Sequence, residues 1–127
     1  MLKQVTDYLQ KCPFFIDTVI GRDYLGENIG AVSVHGGTCD PVVQRYADGA
    51  TLRQFVFEVL IRSDERLDLE HFFDAVTEWF SQGVPLLGDG QCAQRFEIVK
   101  SGAVQDRDYS SIRYGMTWRL LYYQRGE

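Results

Sequence analysis

The sequence predicts an α+β fold: a single antiparallel or mixed β-sheet with an N-terminal helix and one long amphipathic helix packed on it. Three patterns carry that expectation. From Thr51 to Arg62 the chain alternates, with Arg53, Phe55, Phe57, Val59 and Ile61 on one side and Leu52, Gln54, Val56, Glu58, Leu60 and Arg62 on the other. This is the period of a half-buried strand. From Leu69 the period changes, so that Leu69, Phe72, Phe73, Val76, Trp79 and Phe80 share one helix face and Glu70, Asp74 and Glu78 the other. From Ile112 to Tyr123 strict alternation returns: Ile112, Tyr114, Met116, Trp118, Leu120 and Tyr122 oppose Arg113, Gly115, Thr117, Arg119, Leu121 and Tyr123. Strands and helices do not alternate regularly along the chain, which argues against a parallel βαβ architecture.

In chain order, Leu2, Val5, Tyr8 and Leu9 form an apolar stripe that ends at Cys12-Pro13, a first helix of about ten residues. Phe14 to Asp23 is ambiguous between strand and loose connection, and Asp23 to Glu27 carries a turn signal. Ala31 to His35 reads as a short strand closed by Gly36-Gly37, and Val42 to Tyr46 as another short extended piece. Asp48-Gly49 supplies residue types that tolerate positive φ in the turn before the long strand. After the amphipathic helix, Gly83 suits a helix C-cap and Pro85 prevents continuation. Cys92 to Lys100 alternates again, with Phe96 and Ile98 on one face. Ser101 to Ser111 is polar and reads as a connection, long enough to serve as an arm that orders on assembly.

At 127 residues the chain fits one domain, 1–127, large enough for one core without staples. Its 45% hydrophobic and 24% charged residues are those of an ordinary globular chain. A net charge of -5 argues against general affinity for phosphate backbones. Lys3 and Asp7 lie near the start with no apolar run after them, so no signal peptide is read there. No apolar run approaches the roughly 18 residues of a membrane helix. Cys12, Cys39 and Cys92 are widely spaced, without a CxxC pair, and read as buried or half-buried thiols of a reducing compartment.

Several motifs invite a chemical reading and lack the context for it. Gly88-Asp89-Gly90-Gln91-Cys92-Ala93 matches a dinucleotide fingerprint, but a helix precedes it and a strand follows, the reverse of what phosphate binding at a helix N-terminus requires. His35-Gly36-Gly37 resembles an oxyanion loop, yet no GxSxG elbow occurs. His35 and Cys39 are separated by two glycines that fix no hydrogen-bond geometry. Asp74 and Glu78 at i, i+4 read as a solvated face before a cation site, and His71 as a surface residue. Tyr114, Trp118, Tyr122 and Tyr123 suit core and interface packing better than base stacking. The sequence therefore offers no catalytic, cofactor or metal residues, and no enzyme is expected.

One feature points outward. Asp64 to Glu78 holds six acids (Asp68, Glu70, Asp74 and Glu78 among them) and only Arg66 as a base. Arg95 to Arg125 holds six bases, including Arg113, Arg119 and Arg125, against three acids. Such a split suits a head-to-tail contact between copies, in which the acidic helix face of one subunit meets the basic strand face of the next.

Asp23-Tyr24-Leu25-Gly26, Asp40-Pro41-Val42-Val43 and Tyr46-Ala47-Asp48-Gly49 precede the strand with Arg53-Gln54-Phe55-Val56-Phe57. The helix with Phe72, Phe73 and Trp79 and the closing Arg119-Leu120-Leu121-Tyr122-Tyr123-Gln124 follow. This order resembles the small minor capsid or tail-terminator-like proteins of tailed bacteriophages and prophages of Gram-positive bacteria, over most of the chain. The resemblance implies a sheet flanked by helices and a ring, often hexameric in such proteins, joining tail-tube and head-connector proteins. It also implies a place in the virion, or in the bacterial cytoplasm during assembly. It brings no catalytic residues. A net acidic ring would let DNA pass without binding it sequence-specifically. The alternative is a small non-enzymatic binding or regulatory module, monomeric or dimeric.

Overall fold

A computed structural model of the chain describes residues 1–37, 42–64, 69–107 and 111–126. Its spine is β4 (Thr51–Ser63), which pairs antiparallel with β6 (Ile112–Gln124) from Thr51↔Gln124 to Ser63↔Ile112 without a register shift. The other edge of β4 takes two short strands end to end, β2 (Val32–Gly36) against residues 57–61 and β3 (Val42–Arg45) against residues 51–53. β1 (Gly21–Arg22) pairs parallel with β2, and β5 (Gln91–Arg107) pairs antiparallel with the outer side of β6. The order β1-β2-β4-β6-β5 is a mixed sheet of six strands with β3 beside β4.

Both helices lie on one face of this sheet. α1 (Leu2–Gln10) buries Val5 and Leu9, and α2 (Leu69–Gln82) buries Phe72, Val76 and Phe80. They cover Phe55, Phe57, Val59 and Ile61 of β4 and Met116, Trp118, Leu120 and Tyr122 of β6. These are the residues that alternation places on one side of each strand. Aromatic rings fill the centre: Phe80 stacks on Phe96 at 4.1 Å and meets Trp118 edge-on at 5.0 Å, while Phe57 stands edge-on to Phe80 and Phe96. The helices are tied by a reciprocal pair, with Tyr8 Oη donating to the Trp79 carbonyl at 3.1 Å and Trp79 Nε1 to the Tyr8 carbonyl at 2.9 Å.

The ambiguous stretch after α1 resolves into a short 3₁₀ turn (Pro13–Phe15) and a loop held by Gln10. The Gln10 amide donates to the carbonyls of Phe15 and Thr18 and accepts from the Ile20 N–H.

The expected fold class needs correction. Among the described residues the molecule is chiefly sheet, 46% strand against 23% helix, and not an α+β fold built on a long amphipathic helix. α2 has 14 residues and α1 has 9. Much of the difference lies in β5, whose 17 residues run through 101–107, where the sequence reads as a polar connection or arm. The pairs Ala103↔Gly115, Val104↔Tyr114 and Arg107↔Ile112 place that segment in the sheet. An edge strand solvated along one side has no need of an apolar repeat, and four register shifts break its periodicity.

Candidate interaction surfaces

The acidic residues of α2 form a row. Glu70, Asp74 and Glu78 are all exposed and recur every four residues, on the side of the helix opposite Phe72, Val76 and Phe80. None of the three is ion-paired among the described residues. Asp68 lies outside the described residues, as do Cys39 and Asp40.

The basic residues are not the free patch that the sequence suggests. Arg119 lies on the helix-free face of the sheet, where its Nε donates to Glu97 Oε1 at 2.8 Å, its Nη2 also reaches that oxygen, and its Nη1 donates to Gln54 Oε1 at 3.1 Å. Arg95 Nε donates to the other oxygen of Glu97 at 2.8 Å. Hydrogen bonds from Arg95 and then Arg119 hold the Glu97 carboxyl below the ordinary glutamate value. Arg113 is half-buried, and its Nε is buried without a hydrogen-bond partner. Arg125 is exposed just beyond β6, its N–H donating to the Gly90 carbonyl at 2.7 Å. The structure thus separates the three: Arg119 shares the Glu97 carboxylate with Arg95, Arg113 is half-buried, and Arg125 stands exposed beyond β6.

Arg125 has neighbours that the sequence does not reveal. Where β4 begins and β6 ends, Arg45, Arg53 and Arg125 line one groove of 430 Å³ with Gly49, Thr51, Gln124 and Gly126. Among the described residues no carboxylate lines it, and none of the three arginines is ion-paired. Arg53 Nε donates to Thr51 Oγ1 at 3.0 Å. The turn beneath is firmly built: the Tyr46 N–H donates to the Ala50 carbonyl, the Ala50 N–H to Asp48 Oδ1, and Gly49 takes φ 89. The available signal was the pair Arg45 and Arg53 on either side of Asp48-Gly49, which any tight hairpin brings to one end of the sheet.

A second groove, of 790 Å³, opens at the same end between the turn and the start of β5, lined by Tyr46, Cys92, Tyr123 and Arg125 among others. The Tyr46 and Tyr123 rings stand 5.7 Å apart, and the nearby Tyr123 hydroxyl raises the Tyr46 hydroxyl above its ordinary value. Cys92 is exposed, contrary to the expectation of a buried or half-buried thiol, whereas Cys12 is buried.

The outer edge of β5 pairs with no strand among the described residues, and the β5 side chains Ile98, Val99 and Val104 are 49%, 55% and 48% exposed. His35 lies within 2.7 Å of the Ser33 hydroxyl, but Ser33 is fully buried and so is not presented to a substrate. His71 is exposed at the start of α2. No group of three or more metal-ligating side chains occurs among the described residues, and no helix there is long and apolar enough to cross a membrane. In comparison with known protein families and with curated proteins, the chain matches none.

Proposed function

We propose that the protein is a structural component of the head–tail junction of a tailed bacteriophage or prophage, a tail terminator or minor capsid protein that acts by closing into a ring on the tail tube. The observation that carries this reading is the free side of β5. An edge strand of 17 residues with three exposed aliphatic side chains is a surface that a neighbour covers in a working assembly. The register shifts along it limit continuous pairing with a stray strand, which keeps a free subunit soluble before it meets its partners.

The residues that carry the family resemblance are consistent with a scaffold. Asp23 adopts φ 56, its N–H donates to the Val34 carbonyl, and its Oδ1 accepts from the Gly36 N–H, so the Asp23–Gly26 signature fixes a turn against β2. Tyr46–Gly49 fixes the β3–β4 turn in the same way. The partners on this reading are further copies of the chain, the tail tube and the head connector. Its place is the virion, and the bacterial cytoplasm during assembly. DNA passes through the ring and is not bound by sequence.

The test is to mix the purified chain with tail tubes and follow mass in solution and by electron microscopy. Rings seated on tube ends are expected. A chain that stays monomeric at all concentrations and ignores the tubes would overturn the reading. The Tyr46–Tyr123 groove favours one other role, a small binding module, for which a monomer or dimer is the expected mass.

A further inference from the structure

We infer that the arginine groove at the β3–β4 turn receives the acidic row of α2 from a second copy of the chain, and that this contact is the head-to-tail joint between subunits. The inference rests on the proposed ring and replaces the sequence-based pairing of α2 with Arg113 and Arg119. Those two are poorer docking groups: Arg119 is already engaged by Glu97 and Gln54, and Arg113 is half-buried. Arg45, Arg53 and Arg125 converge on one groove that no carboxylate of the described residues lines.

The complement is present on the same chain. Glu70, Asp74 and Glu78 are exposed, without an ion pair among the described residues, and aligned on one side of α2, with Glu78 Oε1 accepting only from the Gln82 amide at 3.3 Å. The eight residue steps from Glu70 to Glu78 span about 12 Å of helix, a length that three arginines spread over a groove of 430 Å³ can follow. No α2 residue lines the groove, so the two patches belong to separate parts of one subunit's surface. Two different patches that complement each other make a heterologous contact, which closes into a ring when its rotation divides the circle. A phosphate backbone is the other polyanion that three arginines would suit, but the chain's net charge of -5 disfavours it.

The experiment is a charge swap in the full chain, read by sedimentation velocity with thermal melting as the folding control. Arg45→Glu with Arg125→Glu, and separately Asp74→Lys with Glu78→Lys, are each expected to weaken association on the order of 100-fold. All four substitutions together should restore it, because the contact is rebuilt with reversed signs. The milder Arg45→Gln with Arg125→Gln covers the case in which a reversal unfolds the chain, and should weaken association by a smaller factor. Reversed variants that assemble like the wild type, or a combined variant that stays dissociated, would overturn the inference and leave the ring intact. Loss of DNA retention with assembly unchanged would make the groove a phosphate site and likewise overturn it. A wild-type chain that never assembles would remove the ring itself.

Discussion

At the scale of single residues, the informative position is Glu97. It bridges Arg95 on its own strand and Arg119 on the neighbouring one, with 29% of its side chain exposed. Its carboxyl is held below its ordinary value of 4.5 by these hydrogen bonds. A carboxylate depressed in the folded state adds stability that is fully present above its unfolded value and is lost as pH falls through the folded one. We therefore expect Glu97→Gln to cost roughly 0.5–1 kcal/mol at neutral pH, within the range of partly exposed ion pairs. The melting temperatures of the variant and the wild type should converge as the pH drops below 4.5. A gap that persists into strong acid would show that Glu97 acts by packing and not by charge. The sequence placed Arg119 on a solvated strand face but not its partner. Finding Glu97 opposite Arg119 requires the β5–β6 register, which a break between Ala93 and Arg95 displaces by one residue.

At the scale of elements, legibility follows burial. β4 and β6 each bury one face, so their alternation is uninterrupted and the structure starts β4 at Thr51, where the pattern starts. α2 shows its stripe because Phe72, Val76 and Phe80 all meet the sheet. β5 loses its pattern beyond Lys100 for the opposite reason, since it is an edge strand and Ser101, Gly102 and Val104 there are exposed. β1, of two residues, is too short to show any period. The arginine groove was hidden for a further reason, as its lining comes from β3, the start of β4 and the end of β6. Besides its pairing with β6, the far half of β5 makes one close approach to α2. A Cβ at Gly102 would fall 2.4 Å from the Phe73 ring of α2, so the absent side chain is what lets helix and strand meet there. Gly102→Ala is expected to destabilise by about 1–3 kcal/mol through overpacking. Combining it with Phe73→Ala should give a loss smaller than the sum of the two, by at least about 0.5 kcal/mol. Strict additivity in chemical denaturation would mean that the contact carries no energy.

At the scale of the whole molecule, the two outward-facing features differ in physical character, and that difference separates their roles. The β5 edge offers aliphatic side chains, and the attraction of apolar surface is not screened by salt. The arginine groove and the α2 acids offer charge, and exposed charges separated by more than about 8 Å are largely screened at physiological ionic strength. A ring that uses both should therefore lose stability as salt rises from low to physiological levels and then level off, with the plateau set by the apolar contact. Ile98→Lys with Val104→Lys should lower that plateau while leaving the melting temperature of the monomer nearly unchanged, because both side chains are about half exposed in the free subunit. The same pair of substitutions should steepen the relative salt dependence, since only the charged joint remains. Association measured by sedimentation across a salt series distinguishes the cases. A wild-type ring indifferent to salt would remove the charged joint, and a lysine variant with an unchanged plateau would show that the β5 edge stays bare in the assembled ring.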